Sequence, residues 1–167
     1  AQIKFIDGMS SSDIQDALIK TAVEKIDIDV PNWTFVAARL FVFDLYHRVG
    51  KSTHGIKGEP YCHLRDYLKY GKDAGRLIPN LGEGYDLDDL NSYLRPERDF
   101  LFNYLGIKTL YDRYLIKNNK ALPIELPQHM FMAIAMFLAQ DEEDKQQRAK
   151  EFYDVVSKFE VMLATPT

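Results

Sequence analysis

Apolar residues recur at helical spacing along most of this chain, a pattern that predicts a mainly α-helical fold. The first amphipathic stretch begins at Ser11 or Ser12, after a short β-like run that Gly8 ends, and it finishes near Lys25. Gln15 follows Ser12 by three residues. This spacing predicts a capping box, in which the two side chains satisfy free amide groups of the first helical turn.

Two longer stretches are apolar on so many faces that they predict helices inside a bundle. Residues 29–49 include the sequence WTFVAARLFVFDLYHRV, and residues 127–139 include MFMAIAMFLA. The methionines and phenylalanines of the second stretch could form a binding face, but a core helix explains them more simply. Shorter helices are expected at residues 61–70, 86–93, 99–105, 107–111 and 144–158.

One small β-hairpin completes the expected fold, a mainly α, bundle-like domain. Residues 113–117 and 121–124 flank its turn signal, Asn118-Asn119. Glycine, proline and lysine punctuate residues 50–60, which predicts a loop and a boundary between an N-terminal helical unit and the rest of the chain. The sequence stops soon after an extended pattern at residues 159–163, so we expect it to be cut from a longer protein.

The amino-acid composition limits which kinds of partner and which cell compartment are expected. The chain carries 21 Lys and Arg against 25 Asp and Glu, a balance opposite to that of surfaces that bind nucleic acid. Its longest apolar run is about half of the roughly 20 residues that cross a bilayer, so no membrane partner is expected. Cys62 is the only cysteine, which rules out an intrachain disulfide and indicates a reducing, cytoplasmic compartment.

No group of side chains has the spacing of an active site. The four histidines form neither an i, i+4 pair nor a pattern with cysteine that would predict a metal site, so they are expected to be ordinary surface or half-buried residues. The acidic clusters at residues 88–89 and 141–144 suit helix N-termini. No catalytic residue is therefore expected, and a stand-alone helical protein-interaction module is one interpretation of the chain.

Eight short motifs, in this order, resemble the N-terminal region of the large (alpha) chain of class I ribonucleotide reductase. They are FIDG at residues 5–8, AARL at 37–40, RPERD at 95–99, GIKTL at 106–110, YDRYL at 111–115, PQHM at 127–130, FYDV at 152–155 and LATP at 163–166. The resemblance spans essentially the whole chain, and no single motif carries it.

The resemblance implies both a domain plan and an activity. Residues 1–50 would be the C-terminal part of an ATP-cone-like helical unit, residues 51–163 the N-terminal helical domain, and residues 164–167 the start of the catalytic barrel. The family makes deoxyribonucleoside diphosphates from ribonucleoside diphosphates by radical chemistry, with a metal-radical small (beta) subunit and a large-chain homodimer. Cys62 matches none of the family's catalytic cysteines, so this stretch is expected to be inactive alone, with a structural or regulatory role.

The same resemblance implies three ligand contacts. Thr165 falls at the family's substrate-contacting threonine, and Ser11 matches a cone threonine that contacts the allosteric nucleotide, ATP or dATP. A plain N-cap is the alternative reading of Ser11. His47 stands where the cone often has lysine, and imidazole is a weaker phosphate partner. No cofactor is expected within this stretch, and half a cone should bind its effectors weakly or not at all.

Overall fold

A computed structural model describes residues 7–53 and 60–162 of the chain. Within these ranges the fold is mainly helical, as predicted, and none of the described helices is long and apolar enough to span a lipid bilayer. The elements are α1 (Ser11–Glu24), α2 (Trp33–Thr53), α3 (Leu64–Asp73), α4 (Leu87–Tyr93), a 3-10 helix (Pro96–Leu101), α5 (Tyr104–Arg113), α6 (Pro127–Leu138) and α7 (Lys145–Ser157).

Helix α1 begins where the sequence predicts, but a different residue caps it. The Ser10 hydroxyl accepts the Asp13 amide at 3.1 Å, so Ser10 is the N-cap. The capping box expected at Ser12 and Gln15 is wrong, because the Gln15 side chain points to the neighbouring helix and donates to the Leu40 carbonyl at 2.8 Å. The Gln15 side-chain amide, which the local pattern assigns to the cap, therefore bonds to a carbonyl 25 residues away in the sequence.

Helix α2 lies between α1 and α5. Phe41 packs edge-on against Tyr104 and Tyr111 of α5, with ring centroids 6.2 and 5.5 Å apart. The helix continues through Gly50 to Thr53, whose hydroxyl donates to the Val49 carbonyl at 2.8 Å. The expectation of a loop is therefore wrong for residues 50–53, and residues 54–59 lie outside the described residues. The domain division at residue 50 stays a prediction.

Helix α6 forms the central part of the core, as its apolar sequence predicts. It packs against α7 and the 3-10 helix, and its Met132 and Met136 side chains are completely buried. Phe137 and Leu138, at the end of the helix, are about half exposed. The prediction of a core helix is confirmed, although one end of it faces outward.

The predicted β-hairpin is wrong. Within the described ranges this region has only an isolated bridge between Lys117 and Pro123 and no strand. Arg113 ends α5 instead of starting a strand, and Pro123 has no amide hydrogen to continue a ladder. The Asn118 side chain accepts the Lys120 and Leu122 amides at 2.9 and 3.1 Å, which closes a side-chain turn in place of paired strands.

Candidate functional site

The structure brings two of the three predicted ligand residues to one end of a helix pair. Helices α1 and α2 run antiparallel: the Arg48 guanidinium lies 3.5 Å from the Asp16 carboxylate, and at the opposite end the Lys25 ammonium lies 5.0 Å from the Trp33 ring centroid. This arrangement places Ser11, the first residue of α1, at the same end as His47 on α2. Both residues are exposed.

The surroundings of these residues are weakly suited to phosphate. Ser10 is the N-cap, so the alternative reading of Ser11 as a plain N-cap is wrong. The His47 Nδ1 atom lies 2.8 Å from the Phe43 carbonyl oxygen, a contact in which the ring nitrogen must donate. In a neutral imidazole the other nitrogen is then an acceptor, which cannot donate to a phosphate oxygen.

Thr165 and His54 lie outside the described residues.

A groove of about 510 Å³ opens between α1, α2 and α5. Its lining combines apolar and aromatic side chains with charged ones: Ile19, Val23, Phe41, Tyr104, Tyr111, Asp16, Lys20, Glu24, Arg48 and Lys108. Two of the cations already have carboxylate partners, since Arg48 Nε lies 2.6 Å from Asp44 and Lys108 Nζ lies 2.6 Å from Asp112. The groove is therefore not set up as a strongly positive anion site.

A buried carboxylate at Asp99 joins four parts of the fold. Tyr46 and Tyr61 donate to its Oδ2 atom at 2.8 and 2.6 Å, and Gln128 Nε2 donates to Oδ1 at 2.8 Å. Gln128 in turn accepts the Tyr153 hydroxyl at 2.6 Å. Burial raises the pKa of Asp99 to about 6, against the opposing effect of these hydrogen bonds. The network links the 3-10 helix to α2, to α6 and, through Gln128, to α7.

A second buried group surrounds Glu125. Its carboxylate accepts the Tyr67 hydroxyl and, at 2.7 Å, the Ile116 amide, and burial raises its pKa to about 7. The Tyr67 ring stacks on His129 with centroids 4.6 Å apart and planes 1° from parallel. His129 Nε2 donates to the Cys62 carbonyl at 3.0 Å, and burial lowers the His129 pKa to about 4.

Neither buried group was predicted from the sequence. His129 was expected at the surface or half-buried, whereas it is fully buried, because α6 carries it into the core beside Tyr67. A signal was present, since Asp99 ends the RPERD motif and Gln128 lies in the PQHM motif. A polar residue inside an otherwise apolar helix indicates a buried hydrogen-bond network when a partner exists elsewhere in the chain.

Neither buried group contributes a side chain to the groove between α1, α2 and α5. Burial also raises the pKa of the Cys62 thiol to about 11, so Cys62 is not an activated nucleophile. In the part of the chain that the structure describes, no three His, Cys, Asp or Glu side chains come together to hold a metal. Asp88 and Asp89 lie in the first turn of α4, which confirms the place expected for this acidic cluster, and the Asp86 side chain caps the helix by accepting their amides.

Replacing Glu125 by glutamine should alter how stability depends on pH. The folded-state pKa of Glu125 is raised, so the stability contributed by its carboxyl is complete below the unfolded pKa, near 4.5, and is lost as pH rises through about 7. When the pH rises from 5 to 8, the wild-type chain should therefore lose about 2 kcal/mol of unfolding free energy that the Glu125→Gln variant does not lose. Urea unfolding at several pH values measures this difference.

The matched control for this experiment is Glu143→Gln. Glu143 is exposed, whereas Glu125 is 1% exposed. The control should follow the wild-type stability in parallel over the same pH range. A Glu125→Gln variant that also stayed parallel to the wild type would contradict the buried position of this carboxyl.

Comparison with known proteins tests the resemblance in the motifs. A family described as "Ribonucleotide reductase, all-alpha domain" matches residues 100–167. The ribonucleoside-diphosphate reductase subunit alpha of Helicobacter pylori (strain ATCC 700392 / 26695) is 58% identical over 167 residues, which is 100% of this chain and 20% of that protein. The resemblance to the N-terminal region of the reductase large chain is confirmed.

More distant relatives give the same result. The ribonucleoside-diphosphate reductase 1 subunit alpha of Escherichia coli (strain K12) is 32% identical over 171 residues, covering 99% of this chain and 22% of that protein. The subunit alpha of Treponema pallidum is 35% identical over 151 residues, covering 90% of this chain and 18% of that protein. The chain thus spans about a fifth of the length of the reductase large chains that it matches.

Proposed function

We propose that this chain is the N-terminal part of the large subunit of a ribonucleoside-diphosphate reductase. The supporting observation is the 58% identity with the Helicobacter pylori alpha subunit over all 167 residues. In this proposal the whole protein reduces ribonucleoside diphosphates to deoxyribonucleoside diphosphates by radical chemistry in the cytoplasm. It acts with a metal-radical small subunit and forms a large-chain homodimer.

These 167 residues would support the reaction without performing it. The Asp99 network connects α2, the 3-10 helix, α6 and α7, so it would hold these elements as one rigid base for the adjoining catalytic domain. Thr165 would contact the substrate, because a threonine hydroxyl and its backbone amide can both donate to a diphosphate.

Regulation by ATP or dATP is the second part of the proposal. Ser11 and His47 would contact the nucleotide at the shared end of α1 and α2. The weak donor capacity of His47 and the pairing of Arg48 and Lys108 with carboxylates favour weak effector binding by this stretch alone. Segments outside these 167 residues would have to supply the remaining phosphate contacts.

Substituting Thr165 in the full-length reductase tests the proposal. With cytidine diphosphate and the small subunit present, the unaltered protein should form the deoxyribonucleotide. Thr165→Val removes one hydroxyl donor to a charged phosphate group and should lower kcat/KM about 10- to 100-fold. Thr165→Ser keeps the hydroxyl and should stay within about threefold of the unaltered protein.

The two parts of this proposal can fail separately. A full-length protein that forms no deoxyribonucleotide with its small subunit would overturn the reductase function. A Thr165→Val variant with unaltered kcat/KM in an active reductase would remove only the substrate contact.

A further inference from the structure

The turn that follows helix α7 holds a bulky residue in a backbone conformation that usually belongs to glycine. Phe159, the first residue after the C-cap Lys158, has φ of +62°. A side chain with a β-carbon is strained in this left-handed region, and helices that end this way mostly place glycine there. Something outside the local backbone must therefore stabilise Phe159 in this conformation.

Three backbone hydrogen bonds form the turn around Phe159. Its amide donates to the Val156 carbonyl at 3.1 Å, and the amides of Glu160 and Val161 both donate to the Val155 carbonyl, at 3.0 and 3.1 Å. The first two bonds are those of a Schellman motif, which ends a helix and turns the chain away from its axis. The turn thus sets the direction in which the chain leaves α7.

The Phe159 ring supplies the anchor that the backbone lacks. It packs edge-on against Phe102 with ring centroids 4.7 Å apart, and it lies 6.3 Å from the Phe131 ring. Phe102 follows the 3-10 helix and Phe131 lies on α6, and both are buried. Because these elements belong to the core, the ring contacts tie the turn to the rigid part of the fold.

We propose that Phe159 is a positioning residue for the substrate-contacting segment of the reductase. This inference rests on the proposed function, in which Thr165, six residues later in the sequence, contacts the diphosphate. The ring, and not only the left-handed backbone, fixes the direction of residues 160–162, which precede that segment in the sequence. A misplaced substrate contact weakens substrate binding and turnover without removing any group that touches the substrate.

Three substitutions in the full-length reductase separate the ring from the backbone. Phe159→Gly relieves the strain but deletes the ring, Phe159→Ala retains the strain and deletes the ring, and Phe159→Tyr retains the ring. We expect KM for cytidine diphosphate to rise about tenfold in both variants that lack the ring, and to stay within about twofold of the unaltered value in Phe159→Tyr. The melting temperature should fall more in Phe159→Ala than in Phe159→Gly.

Phe137→Ala is the matched control. Phe137 is another partly exposed phenylalanine, 49% exposed against 37% for Phe159, and it takes part in none of the aromatic pairs among the described residues. Its KM should be unaltered. If Phe159→Gly does not fold, Phe159→Leu replaces it, since leucine keeps apolar bulk without a ring; its KM should also rise.

Combining Phe159→Gly with Thr165→Val distinguishes a failure of the positioning role of Phe159 from a failure of the substrate contact at Thr165. If Phe159 acts through Thr165, the Phe159→Gly and Thr165→Val effects on kcat/KM should be less than additive. An impaired Thr165→Val variant together with a normal KM in Phe159→Gly, or in Phe159→Leu where that replaces it, would overturn this inference and leave the proposed function standing. A normal Thr165→Val variant would instead remove the substrate contact on which the inference depends.

Discussion

Replacing Asp99 by alanine should lower the free energy of unfolding of this chain by about 3–4 kcal/mol at pH 7.5. The substitution leaves three donors without their acceptor inside the core, the hydroxyls of Tyr46 and Tyr61 and the side-chain amide of Gln128. Each orphaned donor costs about 1–3 kcal/mol, and removal of a desolvated carboxylate offsets part of the sum. Urea unfolding followed by circular dichroism measures the change.

Two further variants make the Asp99 experiment specific. Asp99→Asn keeps one acceptor oxygen and should cost about half as much as the alanine variant. Asp112→Ala removes an exposed carboxylate that pairs with Lys108 four residues earlier, and it should cost less than about 0.5 kcal/mol. Equal losses in Asp99→Ala and Asp112→Ala would show that the Asp99 network contributes little to the fold.

Replacing Met132 by alanine should lower the free energy of unfolding by about 3 kcal/mol. Met132 is completely buried on α6, which packs against α7, so its truncation leaves a cavity in the core. Phe137→Ala truncates a larger side chain on the same helix, but this side chain is 49% exposed. It should cost about 1 kcal/mol.

The order of these two effects is the test of the α6 orientation. Residue volume alone predicts that the phenylalanine variant loses more stability, whereas burial predicts that the methionine variant does. Denaturant titration of both variants under one set of conditions distinguishes them, and a greater loss in Phe137→Ala would mean that the helix faces the core differently.

The Asp99 network spans the domain boundary predicted at residue 50. Tyr46 precedes the boundary predicted at residue 50, and its hydroxyl binds Asp99 on the other side of that boundary. Tyr61, Gln128 and Tyr153 complete the network from the second side. A change in the position of α2 would therefore have to break or lengthen a buried hydrogen bond to the 3-10 helix.

Local patterns predicted the helices correctly where the residues that stabilise a helix lie within it or directly beside it in the sequence. The acidic residues 88–89 lie in the first turn of α4, and the apolar run of residues 127–139 forms the core helix α6. The family resemblance is also a property of the sequence, since it depends on the order of short motifs. These features needed no knowledge of which segments meet in space.

The predictions were wrong where a polar group bonds to a residue distant in the sequence instead of the neighbour that the local pattern indicates. Gln15 bonds Leu40 instead of capping its own helix, and Glu125 accepts the Ile116 amide that a hairpin would have used. His129 is buried because Tyr67, Tyr61 and the Cys62 carbonyl surround it, and all three lie more than 60 residues away. Sequence spacing contains no information about such partners.

By itself, the sequence determined that this chain is helical, which stretches enter the core, and that it resembles the N-terminal region of a reductase large chain. Only the tertiary structure decided which polar side chains are buried, which end of α6 faces outward, and why a phenylalanine can end α7 in a left-handed turn. The physical reason is the sequence distance over which each kind of interaction acts. Helical periodicity acts over a few residues, whereas buried hydrogen bonds and ring contacts form between segments that only the folded core brings together.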